Sequence, residues 1–368
     1  LKNLNGAVSS YYPFAFSGQG QGPYFKDLDG NTFLDFASNI ASTPLGYNHP
    51  KLLATIKHFS KHHPVKYAGQ DFALRLHADF IEELLSITKG MNRAFLVNSG
   101  AEAVENCIKI AMRSRPKAKY GLSFDHAFHG RTLGALSLTH SKPVHKKNYL
   151  AIPTQTLSFS EHGANELESL IKKDSKESIA FVILEHIQGE GGYNPAPRKM
   201  VTDIRKICRE NSIPYIADEV QSGMGRTGEW WAFENFNIKP DIFSSAKALQ
   251  VGAVVSTKDQ FPQEEGAISS TWGGGQIIDM AVGIETIKTI KRDKLLTKNN
   301  VNGRHIMKRM QELSLLNPRG IGLMCAFDMQ NKKIRNDIII ECITNGLVVI
   351  GCGERGIRLI PPYIIEKN

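Results

Sequence analysis

Between Arg93 and Ser256 the chain returns again and again to short apolar runs, and that rhythm leaves few folds open. The runs begin at Arg93, Tyr120, Ile179, Ile213, Asp241 and Gly252 and are about four to six residues long. Apolar at successive rather than alternate positions, they suit strands of a parallel sheet covered on both faces. Between the runs at 179 and 213, Met200, Ile204, Ile207 and Cys208 recur at helical spacing, as a crossover helix requires. The expected core is an α/β domain with a mainly parallel central sheet and helices on both faces.

The flanks read differently. Tyr24 to Phe36 alternates apolar and polar residues on either side of Asp29-Gly30, the pattern of a hairpin and the start of a small antiparallel sheet. Gly18-Gln-Gly20-Gln-Gly22 has no apolar run before it and reads as a loop. A helical stripe through Ile277, Met280, Ile284, Ile287 and Ile290 leads toward a strand, helix, strand, strand pattern from Gly320 to Ile360, a compact α+β piece. The expected organisation is an N-terminal segment over 1–50, a large domain over 51–290 and a C-terminal small domain over 291–368.

Composition removes several functions. No stretch approaches the roughly 20 apolar residues of a spanning helix, and Leu1-Lys-Asn-Leu-Asn-Gly6 lacks the apolar centre of a signal peptide. A cytoplasmic protein without a membrane partner is expected. The five cysteines are scattered with no CxxC and no histidine at ligand spacing, so free thiols are expected and no metal. Lys+Arg number 45 against 36 Asp+Glu, but the basic residues do not interleave with aromatics as a nucleic-acid groove needs. An anionic small molecule suits the charge better.

Five segments carry chemistry. Asn98-Ser99-Gly100-Ala101 joins a strand to a helix, and the first-turn amides there, with the Ser99 hydroxyl, form an anion site suited to a phosphate. An ordinary capped helix is the plain alternative. Phe128-His129-Gly130-Arg131 follows the next strand, where an aromatic can lie on a flat ring and Arg131 can fork onto a carboxylate. Phe128 as core and Arg131 in a surface ion pair are the bland readings. Glu185 and Glu190 end the run at 179; five residues apart in an irregular loop they lack acid/base geometry and suit orienting or pairing with cations. Asp218 and Lys247 are the most telling pair. An aspartate that keeps a pyridine nitrogen protonated and a lysine that holds an aldehyde as a Schiff base are what pyridoxal phosphate requires.

The strings NSGAEAVE, AFHGRT, EHIQGEGG, DEVQSGMGRTG, PDIFSSAKALQ, STWGG and IRLIPP occur in this order. In that combination, covering nearly the whole chain, the sequence resembles the class III pyridoxal-phosphate aminotransferases, the group of ornithine, acetylornithine, 4-aminobutyrate and lysine ε-aminotransferases. The resemblance implies the fold-type I transferase architecture, with a small domain built from both termini. It implies that Lys247 forms the internal aldimine and Asp218 contacts the ring nitrogen. Phe128 and Val220 then sandwich the ring, with His129 also at the cofactor, and Gln221 reaches the phenolic oxygen. Ser99, Gly100 and Ala101 hold the phosphate, together with Thr271 reaching from the neighbouring subunit of a homodimer with interfacial sites.

For the substrate, the resemblance assigns Arg358 to the α-carboxylate of glutamate and 2-oxoglutarate. Glu190 covers Arg358 when an ω-amine is bound, and Arg131 takes the distal carboxylate. The implied activity is transfer of an ω-amino group to 2-oxoglutarate, giving glutamate and a semialdehyde, ping-pong through pyridoxamine phosphate. A racemase or aminomutase on the same scaffold is the rival, and a silent binding protein a more distant one that Lys247 argues against. The pattern departs in three places. Ala248-Leu-Gln-Val-Gly-Ala253 stands where a glycine-rich turn is usual, TWGGG replaces TYGGN or TWGGN, and the chain is short between Arg131 and Glu185 and near its end. The first departure, with TWGG…DM and RGIGLMCAF, tilts the nearest branch toward the lysine enzymes.

Overall fold

Six apolar runs become strands, four of them buried on both faces along their whole length. The computed structural model describes residues 12, 14–62, 74–268 and 274–366. The chain opens with β1 (Phe16–Gln21), β2 (Tyr24–Asp27) and β3 (Thr32–Asp35), followed by β4 (Arg93–Val97), β5 (Tyr120–Phe124), β6 (Thr154–Leu157), β7 (Ile179–Leu184), β8 (Tyr215–Asp218), β9 (Ile242–Ser245) and β10 (Gly252–Ser256). Strands β4 to β10 form a seven-stranded sheet in the order β4-β10-β9-β8-β7-β5-β6. Every residue of β7, β8, β9 and β10 is buried. The neighbours from β9 to β6 pair in parallel, while β10 runs antiparallel to both β4 and β9.

Helices supply the cover. Arg198–Glu210 buries Met200, Val201, Ile204, Ile207 and Cys208, the stripe expected of the crossover. Gly100–Arg113 buries Val104, Cys107, Ile108 and Ala111 against Phe181, Ile183, Ile216 and Val254. Two separate apolar clusters, one around Ile204 and Val182 and one around Val104 and Ile216, therefore hold helices to the sheet. Ile277–Arg292 packs Met280, Ile287 and Ile290 with Phe80, Trp231 and Phe243 in a further cluster.

The ends of the chain meet. Past the helix Leu295–Glu312 come β11 (Leu316–Ile321), β12 (Met324–Asp328), the helix Lys332–Thr344, then β13 (Leu347–Val348), β14 (Ile350–Cys352) and β15 (Gly356–Leu359). One four-stranded sheet runs β11-β12-β15-β14, and another, β1-β2-β3-β13, joins the N-terminal hairpin to the late strand β13. Phe25, Phe33, Val348 and Ile357 share its cluster. Most of the glycine-rich stretch read as a loop is strand β1, where Gly20 packs closely: a Cβ there would stand 2.6 Å from the Tyr24 carbonyl oxygen. Gly320 to Met329, read as one strand, is a hairpin that turns at Gly322 and Leu323.

One local feature reaches toward the sheet's working edge. Ser38–Ala41 forms a left-handed turn of four non-glycine residues with φ from 46° to 69°. Left-handed backbone is costly for residues with a Cβ, and it is held here by the Asp35 carboxylate, which accepts from the Ala37 and Ser38 amides at 2.7 and 2.9 Å. The Ser38 hydroxyl adds a bond to the Ile360 carbonyl at 2.5 Å.

Candidate active site

Parallel strands deliver their following loops to one edge of a sheet, which is where α/β proteins place ligands. A cavity of about 500 Å³ lies there. Its walls include Ser99, Gly100 and Ala101 after β4, Phe128 to Arg131 after β5, Glu185 and Glu190 after β7, Asp218, Val220 and Gln221 at β8, and Lys247 after β9. The structure thus brings together residues far apart in sequence. Arg358 lies on β15 and enters through its contact with Glu190.

Asp218 closes β8 and is buried. Its Oδ1 accepts from the Val220 amide at 3.0 Å and the Ser244 hydroxyl at 3.1 Å, and Oδ2 faces His129 Nδ1 at 2.8 Å. These contacts fix the carboxylate's direction. The Nε2 of His129 is buried with no hydrogen-bond partner among the described residues.

Lys247 sits at the apex of the β9–β10 hairpin in a left-handed conformation, φ 47°. Gln250, also left-handed at φ 70°, takes the place of the glycine-rich turn. Its amide donates to the Ser42 carbonyl at 2.9 Å and the Lys247 carbonyl at 3.0 Å, tying the lysine turn to the segment that leaves Ser38–Ala41. Burial, and then the Arg358 charge, push the Lys247 amine down to about 8. A lowered value means that the neutral, nucleophilic form appears at lower pH than for a surface lysine, whose midpoint is about 10.4. Trace acetylation of the cofactor-free protein, followed peptide by peptide in the mass spectrometer, is expected to give Lys247 a midpoint near 8. A midpoint shared with the exposed lysines would contradict the burial.

At the other end of the cavity, Ser99 caps the helix Gly100–Arg113 in a capping box. Its hydroxyl accepts from the Glu102 amide at 3.2 Å, and the Glu102 carboxylate accepts from the Ser99 and Asn98 amides at 3.0 and 2.7 Å. The plain reading of this segment, a capped helix, is thus what is observed. The Gly100 and Ala101 amides belong to the first turn, where no intrahelical acceptor exists. A Cβ at Gly100 would stand 2.6 Å from Val220 Cγ1, and one at Gly252 would stand 2.6 Å from the Ser99 carbonyl oxygen. Gly100 thus packs against the Val220 side chain, and Gly252 against the Ser99 backbone.

The charged groups toward the mouth are arranged as a pair and a single. Arg358 Nη2 donates to Glu190 Oε1 at 2.7 Å, and the guanidinium lies 5.6 Å over the Tyr193 ring. Burial works against the Arg358 charge, yet the Glu190 carboxylate outweighs it and holds the guanidinium above its ordinary value. Burial likewise pushes Glu190 up, but the Arg358 charge and hydrogen bond win and keep it below the usual carboxylate range. Arg358 Nε and Nη1 are buried without a partner among the described residues. Arg131 is exposed, lies 5.5 Å over the Phe128 ring and has no ion pair among the described residues. Thr271 lies outside the described residues.

Sequence reasoning expected Glu185 to orient or pair with cations and assigned Glu219 no part. Glu185 accepts from the Phe128 and Gly189 amides, each at 2.8 Å, and burial pushes it up to about 7. Glu219 accepts from the Ala232 and Phe233 amides at 2.8 and 3.0 Å, and burial pushes it up to about 8. His186 lies 3.8 Å from Glu219, bonded to the Tyr215 hydroxyl at 2.9 Å, and burial drives it down to about 3. Amide contacts of this kind leave no trace in residue spacing.

The residues present fit pyridoxal phosphate. The buried Gln221 Oε1 has no partner among the described residues, an amine and a carboxylate share the cavity, and helix-start amides and the Phe128 and Val220 faces complete a cradle for a flat anionic ring. A buried amine, a carboxylate and helix-start amides around one cavity make the kind of site a pyridoxal-phosphate enzyme needs. The chain belongs to the class III aminotransferase family, whose profile matches residues 6–368. It is 35% identical to the acetylornithine aminotransferase of Archaeoglobus fulgidus over 95% of this chain and 91% of that one. The acetylornithine aminotransferase of Aquifex aeolicus is 32% identical over 95% and 92%. Among solved structures, the lysine aminotransferase of M. tuberculosis in its internal aldimine form superposes with a TM-score of 0.92 at 25% identity, covering 98% of this chain and 92% of that one. The family and this neighbour imply pyridoxal phosphate as cofactor. No helix among the described residues is long and apolar enough to cross a membrane.

Proposed function

We propose that the protein transfers the ω-amino group of an amino acid to 2-oxoglutarate, giving glutamate and a semialdehyde with ping-pong kinetics. The observation that carries this reading is the buried Arg358–Glu190 pair at 2.7 Å beside the cavity that contains Lys247, with Arg131 on the same cavity wall. A dicarboxylate needs two cations, whereas an ω-amine needs one of them neutralised. An ion pair that opens for one substrate and stays closed for the other supplies both states from one site.

The bound cofactor supplies an electron sink for the charge that develops when the substrate's amine-bearing carbon loses a proton. Ser99, Gly100 and Ala101 hold its phosphate, Phe128 and Val220 its ring faces, Gln221 its phenolic oxygen, and Asp218, oriented by His129 and Ser244, its ring nitrogen. Lys247 would hold the aldehyde and, when free, would be the base that moves the proton; an amine with its midpoint near 8 is suited to both tasks. The carboxylate of Glu190 keeps Arg358 neutralised while an ω-amine is bound and moves aside for the acceptor.

Among donors, N-acetylornithine comes first, because the curated relatives quoted above act on it by name, and lysine second, from the structural neighbour. We place the protein as a homodimer with its sites at the subunit interface, a large domain over 51–290 and a small domain formed by both ends. Purified protein with pyridoxal phosphate, 2-oxoglutarate and a panel of N-acetylornithine, ornithine, lysine and 4-aminobutyrate is expected to accumulate glutamate. Racemisation of an amino acid without any keto acid would replace this reading by the racemase one. Replacing Glu190 by Gln should lower kcat/KM for the ω-amine donor about tenfold or more while affecting glutamate less. Equal losses for both would argue against a switch.

A further inference from the structure

Two of the loops that line the cavity, the one after β5 and the one after β7, are joined by buried side chains: Gln188, whose Nε2 donates to the Asp125 carbonyl, and Glu185, which alone of these two bridges both loops through one carboxylate. Glu185 follows the last residue of β7, lines the cavity and is 7% exposed. One carboxylate oxygen accepts from the Phe128 amide at 2.8 Å, and the other accepts from the Gly189 amide at 2.8 Å. Phe128 is three residues before Arg131, and Gly189 immediately precedes Glu190, the partner of Arg358. The two loops thus meet on the two oxygens of one group.

We propose that Glu185 is a positioning residue that ties the Phe128–Arg131 loop to the Gly189–Glu190 loop and so sets the separation between Arg131 and the Arg358–Glu190 pair. This rests on the reading of those groups as the two ends of the substrate site. The geometry requires a carboxylate with both oxygens free to accept: an amide in its place offers one acceptor and turns an N–H toward another N–H. Shortening the chain by one methylene, as aspartate does, leaves it unable to span both amides. The neighbouring charges, His129, Asp218 and Lys247, bear on how far the carboxylate is ionised. Its span between two backbone donors is independent of them.

A residue that merely stabilises the fold would affect all kinetic constants and all regions together. A spacer between two substrate-binding loops has a narrower signature: the KM for the longer, doubly charged substrate suffers, and the two loops alone loosen. The test uses the holoenzyme and Glu185→Gln, with Glu185→Asp as the second variant should the first not fold. The expected result is a KM for 2-oxoglutarate raised about tenfold with kcat changed less. Hydrogen exchange by mass spectrometry should be faster in peptides covering 126–132 and 187–193 and unchanged in the helix Arg198–Glu210. Unchanged exchange in both loops, or exchange accelerated equally across the molecule, would overturn the proposal, as would a KM that stays at the wild-type value. The exchange measurement does not depend on turnover. If wild-type protein fails to use 2-oxoglutarate while exchange changes only in the two loops, the acceptor assignment fails and the tether stands.

Discussion

Replacing Lys247 by Ala is expected to cut kcat by about ten-thousand-fold or more, because one side chain supplies both the nucleophile and the proton-transferring base. The surroundings point the same way. Burial and Arg358 bring the amine down to about 8, and the hairpin apex that carries it is fixed by Gln250. Borohydride treatment of the wild-type holoenzyme should leave pyridoxal phosphate covalently on the peptide containing Lys247, and the variant should show no such mass. The alanine variant should still fold, since the change removes a buried charge rather than a packed apolar group. Turnover within about tenfold of wild type in a protein cleared of contaminating transaminases would end the assignment of Lys247.

Asp218→Asn is expected to lower kcat by about a hundred- to a thousand-fold with a smaller change in KM, the range for removing a preorganised electrostatic partner. Asparagine has nearly the same shape, so the loss reports charge. Its oxygen can still accept from Val220 and Ser244, but its NH₂ then faces His129 Nδ1. His129 must become an acceptor on that nitrogen and carry its proton on Nε2, which has no partner among the described residues. Thermal unfolding distinguishes the two costs: a midpoint near wild type with a collapsed kcat fits the electrostatic role. A kcat within a few-fold of wild type would remove Asp218 from the reaction.

Much of the sheet was legible because burial on both faces writes itself as apolar runs; β4, β5, β7 and β10 fall where the runs begin. Strand β6, Thr154-Gln-Thr-Leu157, was missed because it is an edge strand with only Leu157 buried, and no apolar run announces it. Nor does a run of side chains encode direction, so the antiparallel β10 came only with the structure. Strand β1 hid behind glycines that usually mark loops.

For the site, Asp218, Lys247, Phe128, Arg131 and Glu190 were singled out in sequence, and the structure brings them to one cavity. Their roles remain assignments by resemblance that the experiments above address. What sequence could not supply were the contacts through backbone amides. Glu185 was read as orienting or pairing with cations, but the partners it has are two backbone amides, 57 residues away in one case and four in the other, which spacing does not reveal. The His129 contact with Asp218 spans 89 residues and was equally invisible.

The antiparallel hairpin has a consequence for how such an enzyme can change. Because the lysine turn folds straight back into β10, Gly252 presses its backbone against Ser99, and Gly100 leaves no room for a methyl beside Val220. The lysine turn and the helix start at Gly100 are thus welded together, and mutational libraries aimed there will mostly yield inactive clones. New amine scope is better sought at the side chains of Arg131 and Glu190, which lie at the mouth of the cavity. Natural drift and laboratory evolution should both leave their marks on that rim and spare the weld.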